Sequence, residues 1–286
     1  MTLCIAAVCG ENGTRNRIAF CCDTRIGDES SGSEIELKLR VLETNWWVMY
    51  AGKAARAKEL MDIYKAYLKI YEYSSLTVTN DLRIPLTTIQ ERIADNYIRN
   101  NYAISYQEFL KSSKSFLSDD AIAQTLSEIG FLVGDIDVQL ILIYCAENEV
   151  RLFEVAADVS ECTHYSIAGS GSQIAAAILD QREQQQTCDV DQTLYTLFEA
   201  KKLAEIGPHV GEDTLIGVLQ YEKTRSSQVE FKIISSEGKK QLSKHFSKIG
   251  PKKYKSPTTP FSNFYTNATP QSETHPKTPH PTPTHT

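Results

Sequence analysis

The grouping of strand-like and helix-like segments is the feature that most constrains the fold of this chain. Its first 52 residues hold four short runs of β-favouring apolar residues, which we expect to form two hairpins over 2–25 and 35–52. The period then becomes helical from Lys53 and again over 84–102, where Pro85 marks a predicted helix start.

The second half of the chain repeats this grouping. A capped helix is predicted to end at Gly130. A later helix is predicted to begin at Ser172, and another to span 190–207. Strand-like runs flank these two helices, over 131–145, 150–157, 162–169, 213–222 and 227–234. Because strands and helices are grouped rather than alternating, we predict an α+β fold, a four-layer αββα sandwich of two antiparallel sheets between outer helices.

Composition predicts one globular domain followed by a tail. With 41% hydrophobic and 23% charged residues, the chain can bury a large core, which we assign to residues 1–234. Residues 235–286 are first basic and then rich in Pro and Thr, with almost no apolar periodicity. Such a segment cannot bury enough apolar surface to offset its ordering entropy, so we expect a disordered tail.

Charge and cysteine usage exclude several classes of protein. A net charge of -6 argues against a nucleic-acid partner, and no apolar run reaches the length of a membrane span. The opening apolar run lacks the basic flank of a signal peptide, so we expect a cytoplasmic protein. The seven cysteines stand mostly inside apolar runs rather than at metal-ligand spacing, which predicts buried thiols, no metal and no cofactor.

The chain opens with Met-Thr and runs directly into the apolar segment LCIAAVC. If Met1 is removed, Thr2 carries both a hydroxyl and a free α-amine, and that amine, with a pKa of about 7.7 to 8, can serve as the general base for the hydroxyl. Such a nucleophile also needs a nearby cation, an anion to hold the cation, and an oxyanion donor. Lys38, Asp23 and the backbone N–H of Gly52 are the candidates for these three parts. Taken singly, each is also explained as a solvated strand residue, a strand-end polar residue or a turn glycine.

Five segments of the chain stand out when they are taken in order: MTLCIAAVC, CCDTR, the lone lysine of ELKLRVL, WWVMYAGKAARAKEL and SIAGSGSQIAAAILD. In this order they resemble the proteasome β-subunit family of N-terminal nucleophile hydrolases, over about residues 2–221. The Met-Thr start is similar to that of the bacterial type, the ancestral beta-subunit (Anbu) and HslV-like groups. The resemblance implies the N-terminal nucleophile hydrolase fold.

The resemblance also implies a set of catalytic residues. It places Thr2 on the nucleophile, Lys38 on the cation, Asp23 on the acid that pairs with it, Gly52 on the oxyanion glycine, and Ser170 on the serine that orients the threonine amine. The implied activity is that of a threonine endopeptidase acting on peptides or unfolded proteins. The implied setting is a homo-oligomeric, ring or ring-like assembly that encloses the sites and works with an ATPase partner.

Two further residues are predicted to bind substrate. Tyr50 shares a strand face with Gly52, and Ala54 lies one short step beyond it, so we expect both to flank the first specificity pocket. A tyrosine in this position predicts a shallow pocket that favours small or medium side chains.

The segment GPHVGEDT departs from the family pattern. Gly207 and Val210 stand where members of the family often have an Asp and a Ser close to the threonine amine. His209, Glu212 and Asp213 are the candidates to replace them.

Three other interpretations remain open. The same Thr2 and Lys38 would support amide hydrolysis of a small substrate or peptide ligation, whereas the departure in GPHVGEDT favours a non-catalytic subunit with the same fold. The sequence GSGSQIA also approaches a dinucleotide-binding fingerprint, with Asp189 or Asp191 as the ribose-binding acid. However, Ile174 occupies the third glycine position, and no strand-helix-strand unit is predicted around this motif.

Overall fold

A computed structural model of the chain describes residues 3–10, 16–23, 38–70, 78–147, 149–207, 210–222 and 228–251. The strands within these residues are β1 (Leu3–Cys9), β2 (Arg17–Asp23), β3 (Leu39–Glu43), β4 (Trp46–Gly52), β5 (Val138–Cys145), β6 (Val150–Val155), β7 (Val159–Cys162), β8 (Tyr165–Gly169), β9 (Thr214–Glu222) and β10 (Gln228–Ile233). The helices are α1 (Ala54–Ile70), α2 (Val78–Tyr102), α3 (Tyr106–Ser112), α4 (Asp119–Gly134), α5 (Ser172–Gln181), α6 (Val190–Ala204) and α7 (Ser236–Ile249), with a 3-10 turn at Ser113–Ser115.

The strands form two five-stranded antiparallel sheets. One has the order β10-β9-β2-β1-β8, and the other has the order β3-β4-β5-β6-β7. In the first sheet Leu3 pairs with Gly169 and Cys4 pairs with Cys22, so β1 begins at the end of the sheet where β2 and β8 finish. At the same end Asp23 pairs with Thr214, the first residue of β9. In the second sheet Gly52, at the end of β4, pairs with Val138 at the start of β5.

Buried side chains form three main cores, and these define four layers. Strand β1 shows why its apolar run is continuous: Cys4, Ala6 and Val8 face the core between the sheets, whereas Leu3 and Ile5 belong to the core shared with α5 and α6. The third core lies between the other sheet and helices α1 and α2. The predicted αββα sandwich of two antiparallel sheets is therefore confirmed.

Helices α3 and α4 pack on the end of α2. Their contact is a separate apolar cluster that contains Ala94, Ile98, Phe109 and Ile129. Helix α4 does not end at Gly130 as predicted but continues to Gly134, and β5 begins only at Val138. The reason is that Val133 continues the apolar stripe of the helix and packs against this cluster.

Two other element boundaries differ from the prediction. Helix α2 begins at Val78 and contains Pro85, because Val78 and Leu82 extend its buried face on the N-terminal side of the proline. The strand predicted over 162–169 corresponds to β8, which begins only at Tyr165, whereas Cys162 ends β7, a strand of the other sheet. Among the described helices, none is long and apolar enough to cross a membrane.

Residues 236–249, which the prediction included in a disordered tail, form helix α7. The side chain of Ser235 caps the helix by accepting a hydrogen bond from the Gly238 amide. Leu242 and Phe246, four residues apart, pack against the core of α5 and α6. The compact unit accordingly ends at Gly250 rather than at residue 234. The predicted disorder over 252–286 lies outside the described residues.

Candidate active site

Most of the predicted catalytic residues lie at one end of the strands of the first sheet, where β1 begins and β2 and β8 end. Asp23 ends β2, Lys38 directly precedes β3, and Ser170 directly follows β8. Thr2 lies outside the described residues, but Leu3, which follows it in the chain, is the first residue of β1. Residues in or next to four strands of the two sheets therefore meet at one place.

Asp23 and Lys38 form a buried ion pair, as predicted. The Lys38 Nζ lies 2.6 Å from Asp23 Oδ1, and the side chains are only 2% and 0% exposed. The second carboxylate oxygen, Oδ2, accepts hydrogen bonds from the backbone amides of Leu3 at 3.1 Å and Gly211 at 3.4 Å. The Lys38 ammonium and the two amides together occupy both carboxylate oxygens. A buried ion pair needs such additional hydrogen bonds to offset its loss of hydration.

A cavity of about 860 Å3 opens next to this pair. Five of the predicted residues line it, namely Lys38, Tyr50, Gly52, Ala54 and Ser170. The remaining lining comes mainly from residues 134–139 and 156–157. The volume lies in the range of sites that bind small molecules or short peptide segments.

Gly52 is exposed to this cavity and has a backbone conformation that requires glycine. Its φ is +106°, and an added Cβ would lie 2.3 Å from the carbonyl oxygen of Asp137. The next amide, that of Lys53, donates a hydrogen bond to the same oxygen at 2.9 Å. The absence of a side chain thus allows β4 to pass close to residue 137 and leaves the backbone of Gly52 open to the cavity.

Gln139 is a residue of the site that the sequence prediction missed. Its Oε1 accepts a hydrogen bond from the Gly169 amide at 2.8 Å, which ties the end of β8 to the start of β5. Gly169, with a φ of +109°, is followed by the exposed Ser170 at the cavity. The available signal was one glutamine in the otherwise apolar run VQLILIYC.

The specificity residues predicted at the cavity have different environments. Tyr50 is 4% exposed and belongs to the core under α1, where burial raises the pKa of its phenol. The guanidinium of Arg40 lies 5.7 Å from the centre of the Tyr50 ring. Ala54 is exposed at the start of α1. Tyr50 therefore forms a buried wall of the cavity, whereas Ala54 lies at its exposed rim.

The segment after α6 approaches Asp23 through its backbone. Glu212 and Asp213, predicted to replace the missing Asp and Ser, are exposed, and His209 lies outside the described residues. It is instead the amide of Gly211 that donates to Asp23.

Lys201 of α6 holds this segment and was not predicted. Its Nζ donates to the carbonyl oxygens of Gly211 at 2.7 Å and Glu212 at 2.8 Å, and it also pairs with Glu205. Burial lowers the pKa of Lys201, an effect that Glu205 opposes.

The GSGS motif has a packing explanation. A Cβ on Gly171 would lie 2.9 Å from Val210 Cγ2 and 3.2 Å from the Cβ of Ala204. The preceding strand, β8, pairs with β1 in antiparallel orientation, so the motif does not lie in the parallel strand-helix-strand unit of a dinucleotide site. Gly171 caps α5 without a side-chain hydrogen bond, so no serine caps this helix.

Comparison with known proteins agrees with this architecture. The chain is similar in structure to Anbu (ancestral beta-subunit) from Yersinia bercovieri, with a TM-score of 0.51 and 15% sequence identity, over 86% of this chain and 93% of that one. The chain therefore shares the fold of this protein. No protein-family model matches it, and no curated protein matches it in sequence. At this level of identity the likeness shows the fold alone.

Proposed function

We propose that this protein is a threonine peptidase of the N-terminal nucleophile type, in which Thr2 acts after removal of Met1. One observation carries the proposal: the buried Asp23–Lys38 pair hydrogen-bonds the amide of Leu3, the residue that follows Thr2, at the edge of a cavity. A buried ammonium held by a carboxylate has little structural advantage over an apolar pair, whereas it supplies the positive charge that such a nucleophile needs.

The proposed reaction is acyl transfer in two steps. The Thr2 hydroxyl oxygen attacks the peptide carbonyl carbon, and the Thr2 amine takes the hydroxyl proton. The N–H of Gly52 donates to the oxyanion, while Lys38 stabilises the developing negative charge and Ser170 orients the amine. The amine then protonates the leaving nitrogen, the C–N bond breaks, and an ester to Thr2 remains. In the second step water attacks the ester carbon and the amine takes a proton from it; the bond between that carbon and Thr2 Oγ then breaks, the amine returns the proton to Oγ, and the acid product leaves.

The cavity supports a preference for small or medium side chains before the cleaved bond. Tyr50 is fixed by the core beneath it and Ala54 lies at the rim, so a bulky side chain would have to displace one of them. A series of peptides that differ only at this position tests the preference. The proposal fails if large aromatic residues are best and Tyr50→Gly leaves their ranking unchanged.

The proposed setting is a cytoplasmic homo-oligomer that encloses the cavities, with an ATPase that delivers unfolded protein. The likeness to the fold of a proteasome-like subunit supports it, and all seven cysteines are free thiols, which fits a reducing compartment. Light scattering of the full chain tests the assembly, since a monomeric mass at micromolar concentration would contradict it.

A non-catalytic subunit of the same fold is the second candidate. It is favoured by the segment 210–213, from which a backbone amide, and neither a carboxylate nor a hydroxyl, reaches Asp23. An amidohydrolase or ligase acting on a small substrate would use the same Thr2 and Lys38.

Peptide turnover distinguishes these candidates. The purified protein is expected to cleave fluorogenic peptides, Thr2→Ala is expected to abolish cleavage, and Ser170→Ala is expected to reduce it. Cleavage that survives in Thr2→Ala would overturn the proposal. An inactive wild-type protein that still forms a covalent adduct on Thr2 would favour the small-substrate reaction, and one that forms none would favour the non-catalytic subunit.

A further inference from the structure

Lys201 is a fully buried cation outside the proposed set of catalytic residues. Its side chain is 0% exposed, and its three N–H bonds have three acceptors: the carboxylate of Glu205 and the carbonyl oxygens of Gly211 and Glu212. The ammonium therefore joins helix α6 to the chain segment that leads into β9.

This segment reaches the candidate active site through the backbone amide of Gly211. The amide of Gly211, whose carbonyl accepts from Lys201 at 2.7 Å, donates to Asp23 Oδ2 at 3.4 Å. The same oxygen accepts from the Leu3 amide, and the other carboxylate oxygen binds Lys38. A continuous series of hydrogen bonds thus connects Lys201, Gly211, Asp23 and Lys38.

We propose that Lys201 is a positioning residue for the catalytic ion pair, acting through Gly211 on Asp23. This inference rests on the proposed function, because it concerns the same site. Lys201 has no contact with the cavity, so it does not act on the substrate directly. It holds the Gly211 amide towards Asp23.

The cost of burying an ammonium supports a specific role for this residue. A well-packed apolar side chain in the same place would fill the space without any loss of hydration, and buried charges are often no more stabilising than such replacements. Lysine adds directional bonds to two successive carbonyl groups, which an apolar side chain cannot make. The structural consequence is a fixed orientation of the Gly211–Glu212 backbone.

Lys202 provides a matched control. It is the next residue on α6 and pairs with the same Glu205, but it is 28% exposed. Lys202→Met therefore removes the same charge and two bonds to the same carboxylate, and it leaves the bonds of Lys201 to Gly211 and Glu212 in place.

The experiment compares Lys201→Met, Lys201→Gln and Lys202→Met with the wild-type full chain in peptide turnover and in hydrogen exchange. In Lys201→Met the value of kcat is expected to fall by about 10- to 100-fold with KM changed by less than about 2-fold, because the positioning of the ion pair changes and substrate binding does not. Peptides covering 210–222 are expected to exchange faster, whereas those covering β4 and β5 are not. Lys201→Gln, which keeps N–H donors for the carbonyls, is expected to retain intermediate activity, and Lys202→Met is expected to match the wild type.

Two results would overturn the inference while the proposed function stands: an active wild type with Lys201→Met no slower than Lys202→Met, or a loss that lies in KM rather than kcat. A melting temperature measured alongside identifies a variant that has lost its fold, in which case Lys201→Gln carries the comparison. A wild type without turnover contradicts the proposed function instead, and faster exchange over 210–222 in Lys201→Met still reports whether Lys201 orders this segment.

Discussion

The carboxylate of Asp23 and the ammonium of Lys38 lie 2.6 Å apart, and neither side chain is more than 2% exposed. The pair joins the end of β2, the central strand of one sheet, to the residue before β3, an outer strand of the other sheet. Because the same carboxylate accepts from the amide of Leu3, the charge of Lys38 is fixed close to the start of β1.

Replacing Lys38 with Met is expected to destabilise the protein as well as to inactivate it. The substitution leaves the buried Asp23 carboxylate without its cation, which costs about 3–5 kcal/mol in free energy of unfolding. The double variant Asp23→Asn with Lys38→Met removes both charges and is expected to recover most of this stability without recovering activity. Urea unfolding of the single and double variants checks this, and a Lys38→Met protein as stable as the wild type would contradict the pairing.

Gly52→Ala is expected to lower both stability and turnover. The new Cβ would lie 2.3 Å from the Asp137 carbonyl oxygen in a backbone of positive φ, a strain of at least about 1–3 kcal/mol. Gly130→Ala is the control, since no atom other than those of the surrounding helix backbone lies within 4 Å of its added Cβ and α4 continues through it. That change is expected to raise the free energy of unfolding by up to about 1 kcal/mol and to leave turnover unchanged. Equal effects of the two substitutions would refute the argument.

A larger residue at position 54 is expected to alter substrate preference without affecting the fold. Ala54 is exposed and lines the cavity, so Ala54→Phe should slow the cleavage of peptides with medium side chains more than that of peptides with small ones. The neighbouring Ala55 is also exposed and does not line the cavity, which makes Ala55→Phe the control. Comparison of kcat/KM across the peptide series decides the matter, and an identical ranking of peptides in both variants would exclude Ala54 from the pocket.

Stability is expected to fall as the pH rises above about 9, in part because of Cys145. Burial raises the pKa of its thiol from 9.0 to about 12, so the thiol ionises in the unfolded chain before it does so in the folded protein. Its contribution is therefore complete below pH 9 and is lost as the pH approaches 12. In Cys145→Ala the decline in free energy of unfolding over this range should be shallower than in the wild type by about 1.4 kcal/mol per pH unit. Urea unfolding at several alkaline pH values measures both slopes, and equal slopes would contradict the burial of this thiol.

Much of the fold could be predicted because local patterns agree with the final packing. The apolar run of β1 is buried on both faces, and the predicted start of α5 at Ser172 matches the structure. The prediction was wrong where a local signal has two meanings. Gly130 predicts a helix end and the apolar residues after it predict a strand, but a short apolar run does not distinguish the two structures, and α4 continues to Gly134.

The candidate site divides in a similar way. The order of the sequence motifs was enough to predict four residues of the site, namely Asp23, Lys38, Gly52 and Ser170. The predicted ion pair of Asp23 with Lys38 is observed. The amide of Gly211 has no signature in a sequence. Lys201 stands next to a second lysine, a pattern typical of solvent-exposed residues. Its burial follows only from the packing of α6 against β2 and against the segment that follows α6.

The most direct test of the proposed mechanism is the intact mass of the full chain before and after treatment with a peptide epoxyketone, which reacts with a hydroxyl and a free amine on one residue. We predict that the purified protein lacks Met1 and gains the mass of one inhibitor, and that Thr2→Ala gains none. A chain that retains Met1, or a processed chain that forms no adduct, would contradict the claim that Thr2 is the nucleophile.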